Sequence, residues 1–224
     1  MARSAKDIMK LIQEQDIKMV DFKIVDINGQ FRHVTIPASQ FTEDTMKDGI
    51  GFDASNYGYA VVEKSDMVFI PDPDTAVIDP FCEIPTLSMT GNAMIIDTPE
   101  NRPLSQYPRN IIRAAVEYMK ESGVADTMKI LPEFEFYLFD DVTWDVKGNY
   151  IGASVDAKQS YWNSDVEGKG VVVPKQKNYH IAKPFDRSYE CRSEMCFEME
   201  KAGIPIKYHH PEVGAAGQFE IEPL

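Results

Sequence analysis

Lys129–Phe139, KILPEFEFYLF, is the stretch whose reading decides the fold. Most of its residues are β-branched, aromatic or leucine and Pro132 stands near its start, so it is predicted to be a strand. Side chains on a strand alternate between faces. Phe134 and Phe136 then go one way, and Glu133 and Glu135 the other. One reading is a solvated acidic face opposite a core face. The other is a covered face that holds two carboxylates side by side, which is unfavourable unless a cation or a proton sits between them. These residues alone leave both open.

The end of the chain repeats the motif. His209, His210 and Glu212 fall within four residues, Gly214 and Gly217 make a turn, and Gln218-Phe219-Glu220-Ile221 again reads polar, aromatic, acid, aliphatic. By alternation Gln218 and Glu220 share a face. Glu133, Glu135, Glu212 and Glu220 therefore form one candidate set, drawn from two strands and a turn. Carboxylate oxygens suit hard divalent cations such as Mg²⁺ or Mn²⁺. For His209 and His210, hydrogen-bonded packing and function are both open.

Between and before these strands the pattern is mixed. Ser4 and Asp7 form a capping box for a helix with Ile8, Leu11 and Ile12 on one face. Met19–Val25 and Phe31–Ile36 flank Asn28-Gly29, a strong hairpin signal. The stretch 48–59, DGIGFDASNYGY, reads as a loop with freedom at Gly49, Gly51 and Gly58 and one carboxylate at Asp53. It is no phosphate loop, because no Gly-Lys-Ser/Thr follows; it either caps its own backbone or carries function. Strands are expected at Met67–Ile70 and Met94–Asp97. The turn-rich 98–103 is the expected boundary between a small α+β domain, 1–103, and a second domain, 104–224.

From Pro108 a helix is expected up to Gly123, with Ile111, Ile112, Ala115, Tyr118 and Met119 on one face. Residues 140–177 read as a long polar excursion with short strands. A second helix is expected over 187–201, capped by Asp186 or Ser188 and closed by Gly203, with Met195, Cys196 and Met199 filling core.

Composition bounds the function. At 224 residues the chain can bury a real core, and 43% hydrophobic with 26% charged residues is ordinary for a globular protein. No apolar run approaches the ~20 residues of a membrane span, and the N-terminus has no apolar signal region. Cys82, Cys191 and Cys196 are odd in number and lack metal-finger spacing, which fits reduced thiols in a cytoplasm. A net charge of −13 argues against nucleic acid as the main partner.

Several of these segments together resemble the first half of a type I glutamine synthetase. Gly51-Phe-Asp-Ala-Ser-Asn56 with Glu63-Lys-Ser-Asp-Met67 is similar to the family's N-terminal signature, and Pro132–Phe139 to its acidic strand. Trp162-Asn163 and Arg192–Cys196 also match, as do His209-His-Pro-Glu-Val-Gly214 and Gly217-Gln-Phe-Glu-Ile221. The resemblance implies a β-grasp-like N-terminal domain followed by the start of a catalytic α/β domain. It implies ATP-dependent joining of ammonia to L-glutamate through γ-glutamyl phosphate, with Mg²⁺ or Mn²⁺ as cofactor and ATP as co-substrate. By position it implies Glu135, Glu212 and Glu220 at one metal and Glu133 at a second, nucleotide-side metal. It also implies Asp53 as the ammonium-binding proton acceptor beside Ser55 and Asn56, His210 and Lys207 on the phosphate and nucleotide side, and Tyr179 near the substrate entrance. A ring-shaped homo-oligomer would let Asp53 of one subunit face the metals of the next.

The chain departs from the family pattern in places. Ala54 stands for the usual Gly, Asn56 for a Ser, Lys207 for a frequent glutamate, and Pro211 for a frequent histidine. The sequence stops at Leu224, before the family's later motifs. The expectation is negligible synthetase activity from these 224 residues alone, with apolar surface left for association. Two other readings stand beside this one: a γ-glutamyl–amine ligase of the same family, and a non-catalytic assembly or regulatory relative.

Overall fold

The computed structural model describes residues 3–96 and 100–224, and the chain packs as two compact units, 1–128 and 129–224. The first unit opens with helix α1, Ala5–Glu14. Its capping box is complete: the Asp7 amide donates to Ser4 Oγ at 3.3 Å and the Ser4 amide donates to Asp7 Oδ2 at 2.7 Å. This satisfies helix-end donors that would otherwise lack partners. Ile8 is buried and Leu11 and Ile12 pack beside it.

Strands β1, Met19–Val25, and β2, Phe31–Pro37, pair antiparallel in register around Asn28-Gly29. Gly29 adopts φ +83°, the conformation this tight turn needs. The Asp26 carboxylate accepts from the Asn28 and Gln30 amides at 2.9 and 3.0 Å and closes the turn. On its other side β1 runs parallel to β6, Thr86–Met89, and β5, Val77–Ile78, completes the order β2-β1-β6-β5. Strand β6 is buried throughout yet carries no alternation, so its four residues are invisible to a periodicity reading.

The second sheet of this unit has the order β3-β4-β7-β8: Ile50–Asp53, Asp66–Pro71, Gly91–Ile95 and Arg102–Pro103. Phe22 of β1 and Phe69 of β4 join the two sheets edge to face, centroids 6.4 Å apart. The expected loop at 48–59 is therefore corrected. Its first half is strand β3, preceded by an unforeseen short helix α2, Glu43–Asp48, capped by Thr42. Gly49 makes the helix-to-strand corner at φ +81°, where a Cβ would lie 2.6 Å from the Phe69 carbonyl oxygen.

Helix α3, Pro108–Glu121, starts with Pro108 at its first position. Asn110 is buried and its amide donates to the carbonyls of Ala93 and Leu104, both at 2.9 Å. That bond ties the helix to the first unit, which extends to residue 128. Asp97, the end of the strand expected over 94–97, and Thr98 and Pro99 of the stretch read as a boundary lie outside the described residues. The face bearing Ile111, Ile112 and Tyr118 is exposed.

In the second unit the glutamate strand is shorter than predicted. Strand β9 covers only Phe134–Tyr137, and Glu133 precedes it. The partner fixes this length: β13, Gln218–Pro223, pairs with β9 only from Ile221 opposite Phe134 to Gln218 opposite Tyr137. Phe134 is 55% exposed, so the expected core face is only partly covered; Phe136 packs on Phe219. Strand β12, Ile206–Pro211, flanks β13 on its other edge, giving the order β12-β13-β9. The polar excursion contains a regular hairpin instead of short strands, β10, Asp141–Lys147, against β11, Tyr150–Asp156.

Helix α4, Tyr189–Lys201, begins later than predicted, and neither expected residue caps it through its side chain. Asp186 is engaged elsewhere, in a two-pronged pair with Arg192 at 2.9 and 2.6 Å. All three cysteines are free thiols. Among the described residues no helix is long and apolar enough to cross a membrane.

Candidate functional site

The three-stranded sheet of the second unit places one rung across all its strands: His210 of β12 opposite Glu220 of β13, opposite Glu135 of β9. Period-2 alternation puts Gln218, Glu220 and Glu222 on that same face. The turn before β13 adds Glu212, whose amide donates to the Gln218 carbonyl at 2.8 Å. The face opens into a cleft of about 1130 Å³ that Glu133, Glu135, Tyr179, His210, Glu212 and Glu220 help to line.

Two groups of ligand atoms converge there. The donor atoms of His210, Glu212 and Glu220 lie within 4.8 Å of one another, and so do those of Glu133, Glu220 and Glu222. Glu220 belongs to both. It is only 6% exposed and meets His210 Nε2 at 3.7 Å, beyond hydrogen-bond reach. Burial pushes its carboxyl above the usual value; His210 opposes this, and the charges of Glu133, Glu212 and Glu222 add to it. A buried carboxylate among carboxylates is the environment that a divalent cation relieves.

The histidine chemistry agrees. His210 Nδ1 lies 3.1 Å from the Pro211 carbonyl oxygen, so that nitrogen carries the proton and donates it. Nε2 is then the nitrogen left to face Glu220, whose Oε2 lies 3.7 Å away. A backbone carbonyl that fixes the tautomer in this way is characteristic of metal-ligating histidine. His209 points to the opposite face. Its Nδ1 accepts from Arg192 Nε at 3.2 Å, and Ser193 Oγ lies 3.3 Å from its Nε2. Burial and the Arg192 charge hold it below the usual value, hence neutral. Of the two readings left open for the histidines, His209 fulfils the packing one.

Glu135 stands slightly apart, its Oε2 accepting from Gln218 Nε2 at 2.9 Å. Lys207 pairs with Glu222 at 2.8 Å. Tyr179 stacks on His180, centroids 4.0 Å apart, and stands edge-on to His210 at 5.5 Å. The buried Asn178 anchors this segment by donating to the carbonyls of Glu212, Ala215 and Gln218.

Asp53, Ser55 and Asn56 lie in the first unit. Asp53 ends β3 and caps a 3₁₀ turn over Ala54–Tyr57. Its carboxylate accepts from the Ser55 amide at 2.9 Å, the Ser55 hydroxyl at 2.6 Å and Asn56 Nδ2 at 3.2 Å. These bonds, the Ser55 hydroxyl first, hold it below the usual carboxylate value. Asp53 is thus both a backbone cap and an exposed, firmly ionised group. Ala54 is fully buried and absent from the positive-φ residues, as its Cβ requires.

Comparison with known families decides the relationship. The model of the glutamine synthetase catalytic domain matches residues 105–223, and that of the glutamine synthetase β-grasp domain matches residues 16–95. The chain belongs to the glutamine synthetase family. The β-grasp and catalytic-domain expectations hold. Among similar proteins, the glutamine synthetase of Pasteurella multocida is 40% identical over 96% of this chain and 46% of its own length. A 3-hydroxylaminophenol mutase of Cupriavidus pinatubonensis is 39% identical over 99% of this chain and 48% of its own. The Plasmodium falciparum glutamine synthetase structure superposes with a TM-score of 0.83 at 20% identity, covering 99% of this chain and 44% of that one, which shows the shared fold. The chain spans about half the length of the curated relatives it matches.

Within this family frame, the sequence reading missed Glu222 and His180. Glu222 was legible by alternation from Glu220; only the Pro223-Leu224 end of the stretch obscured it. His180 carried no local signal. It reaches the site because its backbone adopts φ +55° and its amide donates to the Pro211 carbonyl at 3.1 Å.

Proposed function

We propose that this chain supplies the cation- and ammonium-binding groups for ATP-dependent ligation of ammonia to L-glutamate through γ-glutamyl phosphate, giving glutamine. The observation that carries the reading is the convergence of Glu133, Glu212 and His210 on the buried carboxylate of Glu220, with Glu135 on the same rung. Glu212 and Glu220 with His210 or Glu135 would hold one Mg²⁺ or Mn²⁺, and Glu133 with Glu220 a second. Bound there, such ions neutralise phosphate charge and polarise the phosphoryl group.

The remaining roles belong to the chain's own side chains. Asp53, kept ionised by Ser55 and Asn56, attracts an ammonium ion and takes up its proton at the carboxylate. His210 and Lys207 stand on the phosphate side of the cleft. Tyr179, exposed at the rim beside His210, borders the substrate entrance. The family resemblance supports a ring-shaped homo-oligomer in a cytoplasm, with Asp53 serving the acidic face of a neighbouring subunit. A larger amine in place of ammonia is the second reading. The structural similarity to chains named GmaS, at TM-scores of 0.67 and 0.69, bears on fold alone and does not favour it.

Calorimetric titration of Mn²⁺ into this chain and into a Glu135→Ala, Glu220→Ala double variant tests the site. Saturable binding that disappears in the variant supports the proposal; identical titrations overturn it. A panel of ammonium and larger ammonium ions, followed by the carboxyl ¹³C shift of Asp53, separates ammonia from larger amines.

A further inference from the structure

One carboxylate of the acidic face, Glu222, is already paired with a cation that belongs to the chain. Strand β12 carries a bulge: Ile206 lies opposite Pro223 and Tyr208 opposite Glu222, so Lys207 is the extra residue. A bulge re-aims the side chain of the inserted residue. Regular alternation would send Lys207 to the face opposite Tyr208 and His210. Instead its Nζ reaches Glu222 Oε2 at 2.8 Å and the Tyr208 hydroxyl at 3.0 Å, with the Tyr208 ring centroid 4.4 Å away. Glu222 is 8% exposed, and its donor atom belongs to the group formed with Glu133 and Glu220. Glu220, itself buried, is aimed into the same group.

We propose that Lys207 is a tethered counter-ion at the Glu133–Glu220–Glu222 position, and that a divalent cation takes Glu222 as a ligand there only by displacing the lysine ammonium. The inference rests on the reading of the acidic face as a cation site and adds to it a ligand, Glu222, and a gate, Lys207. The two cation positions are then unequal. Among the described residues no lysine or arginine pairs with Glu212 or Glu220, so the Glu212–Glu220–His210 position fills first. The Glu222 position fills second and weakly, because each ion must break the Lys207–Glu222 pair. The lysine side chain is 41% exposed, so solvent can receive it on displacement.

The test is Mn²⁺ calorimetry on the full 224-residue chain, its Lys207→Met variant and its Glu222→Gln variant, with circular dichroism to confirm folding. The parent is expected to show one tighter and one weaker site. Lys207→Met should tighten the weaker site about tenfold, the scale of one partly exposed charge interaction. Glu222→Gln should abolish the weaker site and leave the tighter one. Without metal, Lys207→Met should also lower the thermal midpoint, because it strands the buried Glu222 carboxylate, and Mn²⁺ should restore it. A purely structural ion pair would give the loss with a Mn²⁺-induced rise no larger than the parent's, because the tighter site stabilises both chains. Unchanged isotherms in both variants, with the tighter site intact, overturn this inference but leave the cation-site reading standing. No binding by parent or variants overturns both.

Discussion

Glu220 shows what the site demands of a single residue. Its folded-state carboxyl sits above the ordinary value, so the folded chain holds the proton more firmly than the unfolded one. The charged form therefore opposes folding, and this penalty grows as pH rises through the folded value. Glu220→Gln is expected to raise the metal-free thermal midpoint at pH 7. The gain should shrink as the pH falls towards the unfolded value of about 4.3. Scanning calorimetry over a pH series checks the sign; a midpoint that falls at pH 7 would contradict it. Asp53 has the opposite sign. Its lowered carboxyl contributes stability that is present above the unfolded value and lost as pH falls through the folded one. Ser55→Ala removes the leading hydrogen bond and should move the Asp53 carboxyl titration upward, as read by ¹³C NMR. Asp53 was legible in the sequence because its neighbours in the chain are its partners in space. The role of Glu222 was not, because its partner Lys207 comes from another strand.

Among the elements, α4 and the β12-β13-β9 sheet depend on one buried pair. Arg192 is 1% exposed, donates twice to Asp186 and once to His209, and lies over the Phe219 ring at 4.4 Å. Phe219 alternates with Glu220, so the arginine fixes the apolar face whose reverse is the acidic cleft. Arg192→Met would leave Asp186 charged and alone, at a cost of about 3–5 kcal/mol. Urea unfolding should register that loss, and Mn²⁺ binding should weaken with it; an unchanged midpoint would show the pair to be dispensable. In the sequence, Asp186 passed for a helix cap because it stands three residues before α4. The helix-to-sheet packing that brings Arg192 within reach of it has no sequence-local signal. The hairpin β10–β11 was partly legible: Val142, Trp144 and Val146 alternate with polar residues along β10, although all three are exposed.

At the scale of the molecule, the two units carry different chemistry. Among the described residues, the candidate ligands of a divalent cation lie in residues 129–224, and the apolar cluster of buried side chains lies in residues 1–128. Mn²⁺ should therefore stabilise the second unit selectively, by about 2.7 kcal/mol at one hundred times its dissociation constant. Hydrogen exchange with and without Mn²⁺ is expected to show added protection across β9, β12 and β13 and none in β1 or β6. Equal protection in both units would sink this division of labour.

What the sequence by itself determined was local or periodic. The capping box at Ser4, the Asn28-Gly29 hairpin, the faces of Glu133, Glu135 and Glu220, and the Asp53 turn all follow from neighbours in the chain or from alternation with period 2. The family motifs likewise sit in short contiguous segments. Tertiary structure decided the rest. Strand β9 ends where β13 stops pairing with it, His209 and His210 separate in role because opposite faces meet different partners, and Lys207 reaches Glu222 because one extra residue bulges β12. Each of these depends on which strand lies alongside which. That choice is made by the free energy of burying whole faces against each other, a property of the packed chain that no short stretch of it contains.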